Sequence, residues 1–362
     1  MYAYVIVLAG GAGTRLWPAS TSARPKQFLR LGDGTTFLRR ALDRALALEP
    51  REGVIVVTGS SMADAVAEEC RGLPPGIPGR GSVRILPEPA GRNTAPAVAW
   101  ALAAAEAWGG RPEDTFLLMT SDHLIEPLAA FAADAAKAET LAASGHLVCF
   151  GIPPRYPATG YGYIEAAEAL GPGLRAAGFR EKPDAATAER FLAAGRYYWN
   201  SGMYAFRSDF LRREMAAHAP DVARAFDSLI DRPREVEHGG VRIVEAWEGR
   251  TEAYERTPSI SLDYAVSEKC ASVALVPASF SWEDVGSWDE MARLFPEGSG
   301  SAVAVESEGC YVDSDIPVAL CGVSDLVVVI RNGAALVLRK GASQLVRQAV
   351  DRFKEEGRTD LV

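Results

Sequence analysis

The sequence predicts an α/β protein whose main sheet is doubly wound, mixed and Rossmann-like, and three observations support this prediction. In the first half, short β-branched strands alternate with longer amphipathic helices, which is typical of βαβ units. A middle segment breaks this alternation with short strand candidates. The last segment consists of β-rich pieces separated by Gly, Asp or Asn, which predicts a small C-terminal β domain ending in a helix.

Hydrophobic periodicity defines the elements of the first half. The predicted strands are residues 4–9, 54–58, 83–86, 115–120 and 147–150. The predicted helices are 36–48, 62–70, an Ala-rich helix that Asn93 and Thr94 cap and that ends near Trp108, and 129–143.

The middle and the end of the chain need a different arrangement. Strand candidates at 161–165, 178–180 and 202–206 predict an inserted, smaller mixed sheet beside the main one. A helix over 260–269 and a strand over 273–277 follow, and the C-terminal helix is predicted over 342–356. We therefore expect a larger domain over residues 1–295 and a small β-rich domain over residues 296–362.

Length and charge exclude several function classes. At about 150 residues per domain, 362 residues predict two domains. Lys plus Arg number 38 against 47 Asp plus Glu, and this net charge of −9 argues against partners such as nucleic acid or an anionic membrane surface. The longest uncharged apolar stretch, 94–105, is shorter than the roughly 18 residues of a membrane span.

The N-terminus and the cysteines predict a cytoplasmic protein. The opening MYAYVIVLAGGAG has no basic region before its apolar run, unlike a secretory signal peptide. The five cysteines are scattered and include no CxxC pair, so we expect thiols in a reducing compartment rather than a zinc site or disulfides.

A glycine-rich loop follows the first strand and contains Gly10, Gly11 and Gly13. Without Cβ atoms in the way, its backbone N–H groups can approach a phosphate closely. Leu16 stands where a dinucleotide fingerprint needs its third glycine, and the loop lacks the Gly-Lys-Ser/Thr ending of a P-loop. Arg15 in the loop and Lys26 after it place a cation on each side, which favours a polyphosphate ligand.

The segment GGAGTRLWPASTSARPKQFL resembles the signature of the sugar-1-phosphate nucleotidylyltransferases, in particular the mannose-1-phosphate guanylyltransferases. Further family pieces follow in the expected order over about the first 290 residues: EPAGRNTAP, SDH, GYGYI, REKPD, WNSGMYAF, SLDYAVSEK and WEDVGSW. Longer bacterial relatives carry an added phosphomannose isomerase domain, for which this chain is too short. We therefore expect the form with a single activity.

The resemblance implies that GTP and mannose 1-phosphate react to give GDP-mannose and pyrophosphate, with Mg²⁺ as cofactor. A phosphate oxygen of the sugar phosphate would attack the α-phosphorus of GTP in line, a step that needs positioning and charge neutralisation. The four histidines include no His-x-His pattern, which disfavours a uridylyltransferase with a histidine nucleophile. We expect Arg15, Lys26, Asp122 and Lys182 to be the catalytic residues.

The metal prediction starts from Asp122, which comes just after the strand predicted at 115–120. Ligands of open α/β sheets bind outside the carboxyl ends of the strands, and Mg²⁺ usually takes one or two carboxylates. The resemblance implies Asp284 as the second ligand. Glu283 beside it is the alternative carboxylate, and a turn-forming role is the structural alternative for both aspartates.

The resemblance also implies which residues bind the sugar phosphate and the nucleotide. The inserted sheet would bind the sugar, with Lys182 on its phosphate and the other contacts from Gly160, Glu181 and Asn200. Glu88 can accept hydrogen bonds from two N–H groups of guanine. Asn93 is expected to contact the nucleotide as well, although a role as a plain helix cap is the alternative for this residue. The remaining nucleotide contacts are expected from Leu8, Gly10, Gly11, Gly13, Thr14 and Gly91.

Three other functions stay open at this point. One is a relative that uses glucose 1-phosphate with UTP or dTTP, although RNTAP, PKQF and SDH resemble the mannose and GTP branch. Another is a sensor of nucleotide sugars without activity, although none of the expected charges is missing. A Rossmann dehydrogenase is disfavoured by the missing third glycine.

The apolar C-terminal strands are expected to pack against another part of the protein or a second subunit. Residues 327–330 and 336–338 are apolar, and the segment is too short for a full solenoid. We expect its short strands to stack in a short left-handed β-helix-like arrangement. Apolar edge strands need a partner. We expect this segment to pack on the catalytic domain, on a second subunit or on both, and the protein to be a homodimer.

Overall fold

The computed structural model describes residues 1–11, 13–73, 82–229 and 231–361. Its strands are β1 (Tyr4–Leu8), β2 (Gly53–Gly59), β3 (Ser82–Glu88), β4 (Thr115–Thr120), β5 (Leu124–Glu126), β6 (Leu147–Ile152), β7 (Tyr163–Leu170), β8 (Gly173–Arg180), β9 (Tyr197–Arg207), β10 (Arg234–His238), β11 (Val241–Ala246), β12 (Val273–Pro277), β13 (Ser281–Glu283), β14 (Ala302–Val305), β15 (Tyr311–Ser314), β16 (Val318–Cys321), β17 (Leu326–Arg331) and β18 (Ala334–Arg339).

The α-helices are α1 (Phe37–Ala47), α2 (Ala63–Glu69), α3 (Thr94–Ala107), α4 (Leu128–Ala143), α5 (Ala185–Ala194), α6 (Ser208–His218), α7 (Pro220–Ala225), α8 (Arg250–Arg256), α9 (Trp288–Leu294) and α10 (Val346–Glu355). Within the described chain, no helix combines the length and the apolar character needed to cross a bilayer.

The chain folds into two compact units, and both are discontinuous in sequence. The first unit comprises Met1–Gly10, Ala41–Ser121 and Ile125–Trp282. The second comprises Gly11–Arg40, Asp122–Leu124 and Glu283–Val362. The second unit therefore combines the glycine-loop segment with the C-terminal β-rich segment.

A mixed sheet of eleven strands forms the centre of the first unit, in the order β10-β11-β3-β2-β1-β4-β9-β6-β12-β8-β7. The central strand β1 pairs in parallel with β2 and β4, whereas β9 runs antiparallel to β4 and β6. The residues of β1 and β2 are mostly buried, as expected for strands covered on both faces. Parallel pairing aligns the carboxyl ends of β1, β2 and β3 at one edge of the sheet.

Helix α3 is buried almost all round, because its residues from Ala95 to Ala105 are apolar and uncharged. Asn93 caps it as predicted, with its side-chain oxygen accepting from the backbone N–H of Thr94 at 2.8 Å. The cap fixes the end of β3 and the start of α3 as one turn. This turn carries residues expected to contact the nucleotide.

The middle strands continue the main sheet, where the sequence predicted a smaller sheet beside it. β8 pairs with β12, and β7 pairs with both β8 and β9. β9 also starts before the predicted residue and passes through Asn200, Ser201 and Gly202, a combination typical of turns. Gly202 has a φ of +71°, and the pairing of β9 with β6 shifts register there, so the strand accommodates a bulge.

The helix predicted over 260–269 is reduced to a short π-helical turn, Asp263–Ser267. The residues before it are bonded to the start of α3 instead. The carbonyl of Ile260 accepts from Ala95 N at 3.1 Å, and Leu262 N donates to Thr94 Oγ1 at 2.8 Å. These contacts tie the residues before the turn to the start of α3.

Two pairs of C-terminal strands of the second unit stack in parallel, each with an offset of 16 residues. Ala302 pairs with Val318, Tyr311 with Val327, and Glu308 with Ser324. This repeat is a short β-helix-like arrangement, and the antiparallel pairing of β17 with β18 ends it. Its inner residues form one core with the segment after the glycine loop and with α9 and α10: Leu16, Trp17, Trp288, Tyr311, Val327, Val329, Val346 and Val350.

Candidate functional site

The carboxylates predicted to hold a metal lie together in the second unit. One ligand atom from each of Asp122, His123 and Asp284 lies within 4.8 Å of the other two. His123 Nε2 is 3.8 Å from Asp122 Oδ1 and 3.7 Å from Asp284 Oδ1. The sequence analysis assigned no ligand role to His123, and its position beside Asp122 is the signal that could have found it.

Lys26 connects the two carboxylates. Its Nζ lies 3.1 Å from Asp122 Oδ2 and 3.5 Å from Asp284 Oδ1, and the residue is only 6% exposed. Burial acts to raise the pKa of Asp122, but the charges of Lys26 and His123 and the hydrogen bond from Lys26 outweigh it and hold the pKa at about 2. Asp122 is therefore ionised across the neutral pH range.

The donor set fits a hard divalent cation. The two carboxylates offer the oxygen ligands that Mg²⁺ prefers, and the adjacent imidazole offers a nitrogen. The position of the Lys26 ammonium shows that a positive charge is accommodated between Asp122 and Asp284. Glu283, the alternative carboxylate, instead pairs with Arg293 Nη2 at 2.8 Å.

The glycine loop of the second unit is shaped around Lys26. Gly13 has a φ of +55°, and a Cβ there would lie 2.6 Å from Lys26 Cβ and 2.9 Å from its backbone nitrogen. Ser20 Oγ donates to the Gly13 carbonyl at 2.5 Å and fixes this approach. Only glycine satisfies both the left-handed backbone and the missing space. Gly11, with a φ of +115°, precedes this turn.

Arg15 lies in the short 3₁₀ turn Thr14–Leu16 that follows Gly13. Its guanidinium packs against Gly286, where a Cβ would lie only 3.2 Å from Arg15 Nη1. The next residues, Leu16 and Trp17, are buried in the core of the second unit. The exposed Arg15 therefore lies in a turn whose position is fixed by the burial of the residues that follow it.

The residues expected to contact the base belong to the first unit. Glu88 is the last residue of β3, and its Oε1 accepts a hydrogen bond from Tyr254 OH at 3.1 Å. Burial raises the pKa of Glu88 to about 7, while the hydrogen bond from Tyr254 acts in the opposite direction. Arg92 Nε donates to the Tyr254 carbonyl at 3.1 Å and fixes the turn that follows.

The other predicted nucleotide residues of this unit lie at the same sheet edge. Leu8 ends β1, and a Cβ at Gly10 would lie 4.0 Å from Glu88 Oε2, which is an ordinary contact. Gly91 has open space at its Cβ position among the described residues. Asn93 has a φ of +69° and uses its side-chain oxygen for the cap, so its amide N–H₂ is the group left for a ligand.

Lys182 and Glu181 form an ion pair in the first unit. Lys182 Nζ lies 2.6 Å from Glu181 Oε1, and the Lys182 side chain is 58% exposed whereas that of Glu181 is 9% exposed. Burial raises the pKa of Glu181 against the effect of Lys182, and the hydrogen bond to Glu181 raises the pKa of Lys182. Lys182 also has a φ of +42°, so the turn after β8 presents it in a strained conformation.

Asn200 lies in the middle of β9 and is hydrogen-bonded on both ends of its amide. Its Nδ2 donates to Tyr204 OH and to Asp263 Oδ1, both at 2.8 Å, and its Oδ1 accepts from Gly202 N at 3.1 Å. Tyr204 OH in turn donates to Asp263 Oδ1 at 2.5 Å.

Gly162 lies beside both Glu181 and Asn200. A Cβ on Gly162 would lie 2.5 Å from Glu181 Oε2 and 3.4 Å from Asn200 Cβ, so the absence of a side chain there lets these two residues approach. The predicted Gly160, by contrast, has open space at its Cβ position among the described residues. Sequence reasoning missed Gly162, Tyr204 and Asp263. All three occur in the motifs GYGYI, WNSGMYAF and SLDYAVSEK, which were the available signal.

Comparisons with known proteins agree with this arrangement. The family model described as nucleotidyl transferase matches residues 4–297. A second model, described as the MannoseP isomerase/GMP-like beta-helix domain, matches residues 300–353. The second match covers the strands that stack with the 16-residue offset.

Individual relatives match most of the chain. A mannose-1-phosphate guanylyltransferase of Klebsiella pneumoniae is 38% identical over 98% of this chain and 74% of its own length. A crystal structure described as a mannose-1-phosphate geranyltransferase from Thermus thermophilus is 34% identical, with a TM-score of 0.84 over 98% of this chain and 100% of that one. A structure described as a mannose-6-phosphate isomerase from Helicobacter pylori is 27% identical, with a TM-score of 0.64 over 78% of this chain and 100% of that one.

The family match spans most of the chain, and the first two of these relatives exceed 30% identity over nearly all of it. The chain belongs to the nucleotidyl transferase family, in its mannose-1-phosphate guanylyltransferase branch.

Proposed function

We propose that this protein transfers GMP from GTP to mannose 1-phosphate, giving GDP-mannose and pyrophosphate. The observation that carries the proposal is the pairing of the buried Lys26 with both Asp122 and Asp284, directly after a glycine loop that presents Arg15. Clustered acids and cations of this kind suit a reaction at a polyphosphate better than they suit hydride transfer or passive sugar binding.

Charge neutralisation is the main task of the chain in this reaction. As a phosphate oxygen of mannose 1-phosphate forms its bond to the α-phosphorus of GTP, the bond to the β-phosphate bridge oxygen breaks and pyrophosphate leaves. Negative charge grows on the α-phosphate and on the leaving group. Lys26 and Arg15 would stabilise that charge, and the backbone N–H groups of Gly11, Gly13 and Thr14 would hold the phosphates.

Magnesium is the proposed cofactor, with Asp122 and Asp284 as its protein ligands. A bound Mg²⁺ supplies charge stabilisation and a template for the phosphate oxygens. In the structure both carboxylates are paired with Lys26. Asp122 and Asp284 would hold the metal ion, and the Lys26 ammonium would then be available to contact the phosphate.

Base and sugar are assigned to residues of the other clusters. Glu88 would accept two hydrogen bonds from guanine, and the turn through Gly91 and Asn93 would hold base and ribose, with Leu8 and Gly10 beside them. Lys182 would hold the phosphate of mannose 1-phosphate, while Glu181 and Asn200 bind sugar hydroxyls near Gly160.

We also propose that residues 1–295 are the catalytic domain, that residues 296–362 are a small C-terminal β-rich domain, and that the protein is a cytoplasmic homodimer. The exposed apolar residues Val303, Val305 and Val337 on the C-terminal strands support the dimer. None of the five cysteines forms a disulfide in the described chain, which suits a reducing compartment. Sedimentation at micromolar concentration should give a dimer, and a monomer would contradict this part of the proposal.

A pyrophosphate-release assay tests the function. Mannose 1-phosphate, GTP and magnesium are supplied together and then each is omitted in turn, and every omission should abolish the signal. A panel with glucose 1-phosphate, UTP and dTTP separates the proposed activity from the nearest alternative. Binding without turnover would favour a sensor, and turnover fastest with glucose 1-phosphate and UTP would overturn the assignment of substrates.

A further inference from the structure

The amide of Asn200 can adopt only one orientation. Asp263 Oδ1 is a carboxylate oxygen and only accepts, so Asn200 Nδ2 must face it. The Gly202 N–H only donates, so Asn200 Oδ1 must face that group. Turning the amide over would place oxygen against oxygen and N–H against N–H. The two neighbours therefore fix which end of the amide points where.

Tyr204 uses the remaining amide hydrogen. Its hydroxyl donates to Asp263 Oδ1 and can accept only through its lone pairs, so the second Nδ2 hydrogen of Asn200 goes to it. Tyr204 is 1% exposed, and burial together with the charge of Asp263 raises the pKa of Tyr204 well above its ordinary value. The hydroxyl therefore keeps its proton in the neutral pH range and donates it to Asp263 Oδ1.

The hydrogen-bonding capacity of Asn200 is then nearly used up. Both Nδ2 hydrogens are engaged, and one of the two Oδ1 lone pairs takes the Gly202 N–H. One acceptor lone pair is left. Asn200, which the resemblance places among the sugar contacts, can therefore offer the sugar an acceptor only.

Glu181 adds further acceptors close to Asn200. Lys182 donates a hydrogen bond to Glu181 Oε1. Glu181 Oε2 lies next to Gly162, at a position where a Cβ on that glycine would also contact Asn200. Asp263 accepts hydrogen bonds from Asn200 and Tyr204 and is half-buried. The groups that Glu181 and Asn200 can offer to a ligand are therefore oxygen acceptors.

From this geometry we propose that Tyr204 and Asp263 are positioning residues that hold Asn200 as an acceptor, so that the sugar is recognised through hydroxyl groups that donate. This inference rests on the proposed function, since it concerns the specificity of the same sugar site. It predicts that a hydroxyl replaced by fluorine, which can only accept, is rejected as strongly as one replaced by hydrogen.

The first test compares substrate analogues on the wild-type enzyme. Mannose 1-phosphates with deoxy or deoxyfluoro groups at C2, C3 and C4 are assayed with GTP. At one or more positions, both analogues should raise KM about tenfold or more and to a similar extent. A fluoro analogue that equals the natural substrate at every position where the deoxy analogue fails would overturn the proposal.

The second test uses Tyr204→Phe and Asp263→Asn. Each should raise KM for mannose 1-phosphate about tenfold, leave KM for GTP within about twofold, and change kcat little, because only ground-state sugar binding is disturbed. Tyr2→Phe is the matched control, since it also removes a buried tyrosine hydroxyl, which donates to the Ala135 carbonyl at 2.7 Å. An equal effect in the control, or unchanged KM for the sugar in both variants, would overturn the positioning role.

Calorimetric titration with mannose 1-phosphate separates this inference from the proposed function. If the wild type binds the sugar phosphate but shows no turnover, the function is wrong, and weaker binding to Tyr204→Phe still supports the positioning role. If the wild type turns over and Tyr204→Phe binds the sugar equally well, the function stands and the positioning role is wrong. Absence of both binding and turnover in the wild type would overturn both.

Discussion

Glu88 provides a prediction about pH at the residue scale. Burial raises the pKa of Glu88 from 4.5 to about 7. Between pH 4.5 and pH 7, the Glu88 carboxyl of the folded chain is therefore protonated where a free carboxyl would be ionised. Guanine offers N–H donors, which an ionised carboxylate accepts and a neutral one accepts less well. Binding of GTP must then release this proton below pH 7, and the affinity should fall about tenfold per pH unit there.

The affinity for GTP, measured between pH 5.5 and 8, tests this prediction with Glu88→Gln as the control. The variant cannot titrate at this position, so it reports the titration of the nucleotide itself. We expect weaker binding by Glu88→Gln at pH 8 and a flatter pH profile. Parallel profiles for the two proteins would show that Glu88 does not read the base.

Lys26 and Lys182 should have different kinetic roles. Lys26 is 6% exposed and faces the carboxylate cluster, so its contact with phosphate should strengthen in the transition state; Lys26→Ala should lower kcat by roughly 30- to 1,000-fold. The Lys182 side chain is 58% exposed and pairs with Glu181, so Lys182→Ala should mainly raise KM for mannose 1-phosphate. Two-substrate kinetics on both variants provide the measurement, and a Lys182→Ala variant that weakens only GTP would show that the sugar site lies elsewhere.

At the scale of the element, Gly13 of the glycine loop packs closely against the short 3₁₀ turn Lys26–Phe28. An alanine at Gly13 would need a left-handed backbone and would place its Cβ 2.6 Å from Lys26 Cβ. Gly13→Ala should therefore cost about 1–3 kcal/mol of unfolding free energy and lower kcat by displacing Lys26. Gly32→Ala is the control, because that glycine lacks both the positive φ and near neighbours among the described residues.

Urea unfolding and steady-state kinetics on the two glycine variants provide the test. Gly32→Ala should behave like the wild type within about 0.5 kcal/mol. If Gly13→Ala kept full kcat, Lys26 would not depend on the loop for its position, and the loop would serve only as a connection between β1 and the segment that follows.

Elements with a strong local pattern were predicted well from the sequence. The alternation of strands and helices located β1, β2, β4 and their helices within a few residues, and the Asn93 cap was identified directly. The path of β9 was not predictable, because Asn200, Ser201 and Gly202 have turn preferences that pairing on both sides overrides. Whether the middle strands continue the main sheet depends on partners far away in sequence, such as β12 for β8.

The candidate site shows the same division. Lys26, Asp122 and Asp284 were predicted from motifs, and the structure places them within one cluster. The residues that orient Asn200 were missed, because Asp263 is 63 positions away from it and no local pattern relates the two. Gly162 was missed because its neighbour Gly160 fits the same motif, and only the position of Glu181 decides which glycine is crowded.

At the scale of the whole molecule, the C-terminal β-rich segment belongs to the same compact unit as the glycine loop. Trp17 Nε1 donates to the Leu361 carbonyl at 2.6 Å, and Asn332 Nδ2 donates to the Pro18 carbonyl at 2.8 Å. The loop that carries Arg15 and Lys26 is thus supported by residues more than 300 positions away. The sequence analysis expected the C-terminal strands to pack on the catalytic domain, a second subunit or both, and the shared core fits the first alternative.

The central claim is that Asp122 and Asp284 hold a magnesium ion for guanylyl transfer, and metal-dependent turnover with Asp122→Asn tests it most directly. Pyrophosphate release from mannose 1-phosphate and GTP is measured in EDTA and then across a magnesium titration. We expect wild-type turnover to vanish in EDTA and to return with magnesium. Asp122→Asn should keep the fold by circular dichroism and lose on the order of 100-fold or more in kcat. Full activity in EDTA, or an Asp122→Asn variant as active as the wild type, would contradict the account.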